Sequence, residues 1–206
     1  PQTGEVVYAE VFLATLGFSQ MTYVEASMSQ KKEDLVRSLE NALLFFGGVP
    51  QAVVPDNLKS AVKKARRYEP EINETFQDLA LHYGMHVLPA RVRKPQDKAL
   101  VEIAVKLVYQ RIYSQLRDQV FNSLDELNTA IWGLLEIYNR KHFAGRDYSR
   151  FDVFDEVEKQ YLAPLPLERH EIRRYYVGTV HKNCHVILPE DKHYYSVPFQ
   201  FTGKRV

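Results

Sequence analysis

Apolar positions run almost unbroken over residues 5–16 (Glu-Val-Val-Tyr-Ala-Glu-Val-Phe-Leu-Ala-Thr-Leu), which predicts a strand covered on both faces. Gly17 closes it. Residues 21–26, Met-Thr-Tyr-Val-Glu-Ala, alternate as a neighbouring antiparallel strand would, and the short spacer predicts a hairpin. Over 31–46 the period changes. Leu35, Leu39, Ala42, Leu43 and Phe46 recur at helical spacing, with Ser29 ahead of them and Gly47-Gly48 as the stop. A short strand from Pro50 to Pro55 then ends directly in Asp56-Asn57, and the basic stretch behind it, without strong periodicity, predicts a polar loop or short helix. Residues 71–83 predict a helix capped by Gly84, and His86 to Pro89 one more short strand, so the order is that of a mixed α/β layer.

Residues 98–117 carry apolar side chains at Val101, Val105, Leu107, Val108, Ile112 and Leu116, the longest helix the pattern predicts. Ser123 with Glu126 makes a capping box for another, through Trp132, read as a core residue, to about Tyr138. After Asn139 the composition changes: Gly145, Asp147, Ser149 and Pro164-Leu165-Pro166 describe a connecting region. The last stretch, 172–206, is rich in Tyr, Val and Phe with turns at Gly178, Asn183, Glu190-Asp191 and Gly203, which predicts a small barrel. The expected organisation is an α/β core over 1–140, a linker over 141–170 and a small β-barrel over 171–206.

With 45% apolar and 12% aromatic residues in 206, the chain can bury a real core. No run of about 18 apolar residues exists to cross a membrane, and Val6 to Leu16 is interrupted by Glu10 and lacks the basic leader of a signal peptide. One cysteine, Cys184, excludes an internal disulfide framework and a cysteine-rich zinc site, and fits a reducing cytoplasm. A net charge of +1 conceals clustering. Asp152, Asp155, Glu156 and Glu158 gather in one place, while Lys59, Lys63, Lys64, Arg66 and Arg67 form one basic group and Arg91, Arg93, Lys94 and Lys98 another. Local basic groups, more than net charge, are what a phosphate backbone feels. The opening Pro-Gln-Thr-Gly, without methionine, reads as part of a longer protein.

Two carboxylates could carry chemistry. Asp56 lies at the carboxyl end of a buried strand, where open α/β sheets place ligands, although Asp-Asn also serves as an ordinary turn or cap. Glu102 has Lys98 and Lys106 one helical turn to either side, a stripe that a solvated salt-bridge face would also show. A helix packed beside the strand would bring both carboxylates to one pair of hard cations. Mg²⁺ or Mn²⁺ takes oxygen ligands and keeps part of its water shell, so no His or Cys cage is required. Two such ions about 3.5–4 Å apart activate a water or 3′-hydroxyl and relieve charge on a phosphodiester. Lys59, Lys63, Lys64, Arg66 and Arg67 follow Asp56 directly and could hold a DNA backbone there, with a merely solvated basic loop as the competing reading. Arg93, Lys94, Lys98 and Lys106 are similar, Lys98 sharing the face of Glu102. Lys182, His185, Lys192, His193, Lys204 and Arg205 punctuate the aromatic strands at the end, but the histidine spacing does not make a zinc site.

The runs Phe45-Phe46-Gly47-Gly48-Val49-Pro50 and Val54-Pro55-Asp56-Asn57-Leu58-Lys59-Ser60-Ala61-Val62 resemble the second-aspartate segment of the IstA-like DDE transposases. Lys94-Pro95-Gln96-Asp97-Lys98-Ala99-Leu100-Val101-Glu102 resembles the glutamate helix of that family, and Tyr148-Ser149-Arg150 and Tyr195-Ser196-Val197-Pro198 extend the resemblance over nearly the whole chain. It implies a ribonuclease-H-like mixed sheet with flanking helices, followed by a small SH3-like barrel. It also implies a metal-dependent transposase cutting element ends and joining them to target DNA, with Asp56 and Glu102 as ligands of two Mg²⁺ or Mn²⁺ ions. A homo-oligomer on paired ends, an AAA+ ATPase helper and a bacterial, nucleoid-associated cytoplasmic setting follow in the same way. The first aspartate of the family sits on the strand before residues 5–16, and no aspartate precedes Asp34, so the first strand is expected to be missing and the fragment inactive alone. Glu5, Glu10 and Glu25 lack the surrounding motif. A ribonuclease-H-like nuclease and a non-catalytic DNA-binding or assembly module are the alternative readings.

Overall fold

A computed structural model of the chain describes residues 6–55, 62–64, 71–72, 74–88, 99–172 and 176–206, with 62–64 and 71–72 described as backbone alone. Two compact units result, Pro1–His170 and Glu171–Val206. The first opens with the expected hairpin: β1 (Glu10–Thr15) pairs antiparallel with β2 (Thr22–Ser27), Glu10 opposite Ser27 and Thr15 opposite Thr22. β1 is shorter than the apolar run that predicts it, because residues 6–9 are solvent-exposed and unpaired with a neighbouring strand.

Helix α1 (Lys32–Phe46) ends where the glycines predict. Gly47 takes the left-handed φ of 71°, and the N–H groups of Gly47 and Gly48 return to the carbonyls of Leu44 and Leu43. The helix is apolar on two sides because it separates two cores. Ala42 and Phe46 pack with Val24, Ile112, Ile131 and Leu135, while Val36, Leu39 and Leu43 pack with Phe76, Leu79 and Met85. Two buried carboxylates fix its placement. Glu25 of β2 accepts from Tyr23, Ser38 and Asn41, and Glu40 accepts from the Tyr83 hydroxyl at 2.8 Å and the His170 N–H at 2.9 Å.

β3 (Ala52–Val53) and β6 (His86–Val87) are parallel, with α2 (Glu74–Tyr83) in the connection between them. Here the structure departs from expectation. β4 (Val62–Lys64) pairs with β5 (Glu71–Ile72), so part of the basic stretch is strand, and the helix expected from residue 71 begins at Glu74. Val62 opposite Ile72 is a β-branched pair, which suits a pleated ladder better than a helical turn.

The long helix over 98–117 is α3 (Ala99–Val108), a π turn (Tyr109–Tyr113) and a closing turn α4 (Ser114–Leu116). α5 (Leu124–Arg140) starts at Ser123, whose hydroxyl accepts from the Glu126 N–H, but the Glu126 carboxylate returns to the Asn122 N–H, one residue ahead of a strict capping box. Residues 141–170, expected as a linker, carry packed structure: α6 (Arg150–Val153), capped reciprocally by Ser149 and Asp152, then a tightening helical run to Tyr161. Phe154 enters the first core, and the Arg150 guanidinium is buried against the rings of Tyr138 and Phe143 at 4.3 and 4.7 Å. Burial lowers the pKa of that guanidinium, and the ring faces offset part of the lost hydration. Glu158 takes the amides of Phe18 and Ser19 at the hairpin tip, and Val49 exchanges two 2.9 Å backbone bonds with Ala163. That approach requires Gly48, since a Cβ there would lie 2.7 Å from the Leu162 Cβ. Gly and Pro signals conceal this segment's apolar anchors, Phe151, Phe154 and Leu162.

In the second unit β7 (His185–Ile187) pairs antiparallel with β8 (Tyr194–Ser196), and Thr179 bridges Arg205. Gly178 is where a Cβ would meet Val186 at 2.4 Å.

The outward edge of β2 is closed by side chains of α5 rather than by another strand. Asn128 accepts from the Ala26 N–H at 2.6 Å and donates to its carbonyl at 3.0 Å. Asn139 does the same at Thr22, at 3.1 and 2.8 Å, and the Trp132 indole N–H donates to the Val24 carbonyl at 3.1 Å. Trp132 is therefore 43% exposed and not a core filler. Four residues of helix rise about 6 Å and two residues of strand about 6.8 Å, so Asn128 and Trp132 fall in register with Ala26 and Val24. Asn139→Ala would leave both buried backbone groups of Thr22 unpaired, at a cost of about 2–4 kcal/mol. The measurement is urea unfolding followed by Trp132, the single tryptophan of the chain; an unchanged midpoint would show that the edge is held by packing alone.

Candidate active site

Among the described residues β1 pairs only with β2 and β3 only with β6. A cavity of about 690 Å³ runs between their other edges, lined by Val11 to Gly17, by Pro50 to Pro55, by the inner side of α1 and by Leu100, Val101 and Val105 of α3. Its wall is mostly apolar. Pro55 and Val101, the residues immediately before Asp56 and Glu102 in the sequence, both belong to it.

α3 is oriented by its buried side, Ala104 and Val108, which enter the first core. Glu102 and Lys106 are consequently exposed on the opposite side, one turn apart. The remaining predicted positions are less fully placed. Asp56, Lys59, Arg66, Arg67, Arg93, Lys94 and Lys98 lie outside the described residues, and Lys63 and Lys64 are placed as backbone of β4. No group of three or more His, Cys, Asp or Glu side chains that could hold a metal occurs among the described residues. The strand carboxylates do not offer a substitute: Glu25 is buried under three donors, and Glu10 is exposed and bound by Gln30 at 2.7 Å.

The π turn follows the carboxylate helix directly. It sets the Tyr109 ring, 70% exposed, against that of Tyr113, with centroids 5.8 Å apart. The Tyr113 hydroxyl is buried and has no hydrogen-bond partner among the described residues, and burial, with a smaller contribution from Tyr109, pushes its pKa well above the ordinary phenol value. Sequence periodicity assigns this stretch to a regular helix and misses the turn, because a π turn changes the hydrogen-bond step without changing residue types.

No family model matches the chain. It is 43% identical over 203 residues to a Sinorhizobium fredii protein that bears the name transposase, covering 98% of this chain and 39% of that one. A protein so named for insertion sequence IS408 of Burkholderia multivorans is 41% identical over 198 residues, covering 96% and 38%. The transposase for insertion sequence element IS21 of Pseudomonas aeruginosa is 28% identical over 194 residues, covering 93% and 48%. The chain thus spans less than half the length of these relatives. Among solved structures, a chain of a simian T-cell lymphotropic virus intasome superposes with a TM-score of 0.59 at 14% identity, over 97% of this chain and 73% of that one. The catalytic core of bovine immunodeficiency virus integrase gives 0.56 at 14% identity over 74% and 89%, and that of HTLV-2 integrase, solved with magnesium, 0.53 at 16% over 71% and 83%. The fold is that of retroviral integrase cores, which is ribonuclease-H-like.

Tyr113→Phe removes a buried, unpaired hydroxyl and is expected to raise stability by about 1 kcal/mol at neutral pH. Because the folded-state phenol titrates above its unfolded value, the unfolded chain gives up this proton first, and stability falls as pH rises from ~10 toward the folded pKa. Denaturant melts of the Phe variant across pH 8–11 (roughly the range of phenol titration) should therefore show a shallower alkaline loss. An unchanged slope would mean that folding does not raise the pKa of this phenol.

Proposed function

Taking the chain as a homologue of the IstA-like transposases of insertion sequences, we propose that it performs metal-dependent cleavage at the 3′ ends of an element and joins those ends to target DNA. The observation that supports this reading is that Pro55 and Val101, the sequence neighbours of Asp56 and Glu102, line one cavity on an integrase-core fold. The slot beside it supports the accompanying proposal of a missing strand. Among the described residues neither β1 nor β3 has a strand partner on the side lining this mostly apolar cavity, and strands pair at about 4.8 Å, so one further strand there would complete the sheet and carry the third carboxylate.

The residues present fit hard divalent cations. Glu102 offers an open carboxylate beside the cavity, and Asp56 a second oxygen donor, as Mg²⁺ or Mn²⁺ requires. Two such ions, when bound, supply an activated water or 3′-hydroxyl and charge relief at phosphorus. The lysines and arginines at 59, 63, 64, 66, 67, 93, 94, 98 and 106 position phosphates by charge alone. The second unit, with its antiparallel pair and basic turns, is proposed as an SH3-like barrel that adds DNA contact. Assembly as a homo-oligomer on paired ends and action with an AAA+ ATPase helper complete the proposal.

The test is Mg²⁺-dependent strand transfer on labelled element ends by the protein at the full length of its gene. Asp56→Asn and Glu102→Gln should bind the ends yet lose joining by more than about 100-fold, since even residues that only hydrogen-bond a metal ligand cost 10- to 100-fold. Cutting without joining in the unaltered protein would point to a nuclease, and activity in both variants would remove the site assignment. Lys106→Ala should weaken end binding evenly across sequences and reduce the slope of log affinity against log salt by about 0.9, measured by a binding series at several salt concentrations.

A further inference from the structure

One helical stripe runs through Glu102, Lys106 and Tyr109. All three are exposed, and Tyr109 stands two turns beyond Glu102, about 10 Å along the axis at 1.5 Å per residue and almost directly above it on the helical wheel. The Tyr109 ring is 70% open to water and stands on the same side as a candidate metal ligand, with an ammonium between them. It is nevertheless held. The Tyr113 ring lies behind it at 5.8 Å and 37°, and the π turn that begins at Tyr109 places the two rings together. π turns inside α-helices occur disproportionately at functional sites.

We propose that Tyr109 is a substrate-positioning residue whose ring stacks on an unpaired base of the DNA end, about three base steps from the scissile phosphate that a cation on Glu102 would meet, given a rise of about 3.4 Å per nucleotide. The proposal rests on the transposase reading and adds a partner for one side chain. Every base presents a π face, so a fixed exposed ring takes one without regard to sequence, while Lys106 meets the phosphate between. Stacking would keep a separated strand from re-pairing and hold the scissile phosphate in register with the carboxylates.

The experiment is strand transfer by the protein at the full length of its gene, with Tyr109→Ala, Tyr109→Phe and Tyr109→Trp, on element ends carrying a single abasic site at each of the first few nucleotides in turn. Joining of intact ends should fall roughly tenfold or more for Ala and be retained for Phe and Trp, which keep the face and lose only the hydroxyl. At one abasic position the unaltered protein should fall to the level of the Ala variant, and Ala should lose nothing further. Equal activity of Ala and the unaltered protein, loss of activity in Phe, or an Ala defect that persists at every abasic position would each overturn the proposal. Thermal melting of the Ala variant, expected to match the unaltered protein because the ring is exposed, separates a folding defect from lost stacking. Glu102→Gln run beside it separates the two levels: if that variant still joins ends, the transposase reading fails, whereas an inactive Glu102→Gln beside a fully active Tyr109→Ala removes the stacking role alone.

Discussion

The backbone of β2 ends the sheet on one side, and the side chains of α5 close it. An edge strand exposes a row of N–H and C=O groups that would pair with any passing strand. Here Asn128 and Asn139 each supply both an acceptor and a donor, imitating the peptide of a neighbouring strand, and Trp132 caps the carbonyl between them. The sheet therefore has a blunt side and an open side. Residues of β1, β3 and α3 line the cavity.

The same constraint orients α3. α5, locked to β2 by polar ties and by Ile131 and Leu135 in the core, packs against the helical rod that begins as α3 through Val108 and Ile112. With that rod fixed on its buried side, its opposite side must face water, which is where Glu102, Lys106 and Tyr109 stand. α1 is held between two cores by Glu25 and Glu40, and burial together with the bond to Glu40 pushes the Tyr83 phenol up to about 12, so that tie stays protonated at ordinary pH. These buried carboxylates serve architecture, whereas Glu102 lies exposed.

Much of this was legible in the residues. The hairpin, α1 with its glycine stop, α2 and the strand pair at 52–53 and 86–87 follow from periodicity and turn chemistry, because burial on one or two faces imposes a period that survives in the sequence. Glu102 was legible as one member of a lysine-flanked stripe. What was not legible depends on long-range partners. Asn128 and Asn139 are unremarkable helix residues until a strand edge lies beside them, and Trp132 reads as core until its indole finds the Val24 carbonyl. The segment 141–170 reads as a connector because Gly145 and Pro164 dominate its composition, whereas Phe154 and Glu158 decide its placement through contacts with residues far earlier in the chain. Asp56 lies outside the described residues, and the cavity wall is described as far as Pro55.

The meeting of Gly48 with Leu162 ties two distant stretches of sequence into a single locus. Since a Cβ at position 48 would stand 2.7 Å from that of Leu162, a larger residue can arise at 48 only if the backbone at 162–163 withdraws and gives up its paired bonds with Val49. Relatives that keep the bridge should keep the glycine, and those that lose it should show substitutions at both places together. Recombining the 150–163 segment between divergent relatives would be tolerated only when residue 48 travels with it, which makes this pair a marker of descent within the group as well as a joint in the molecule.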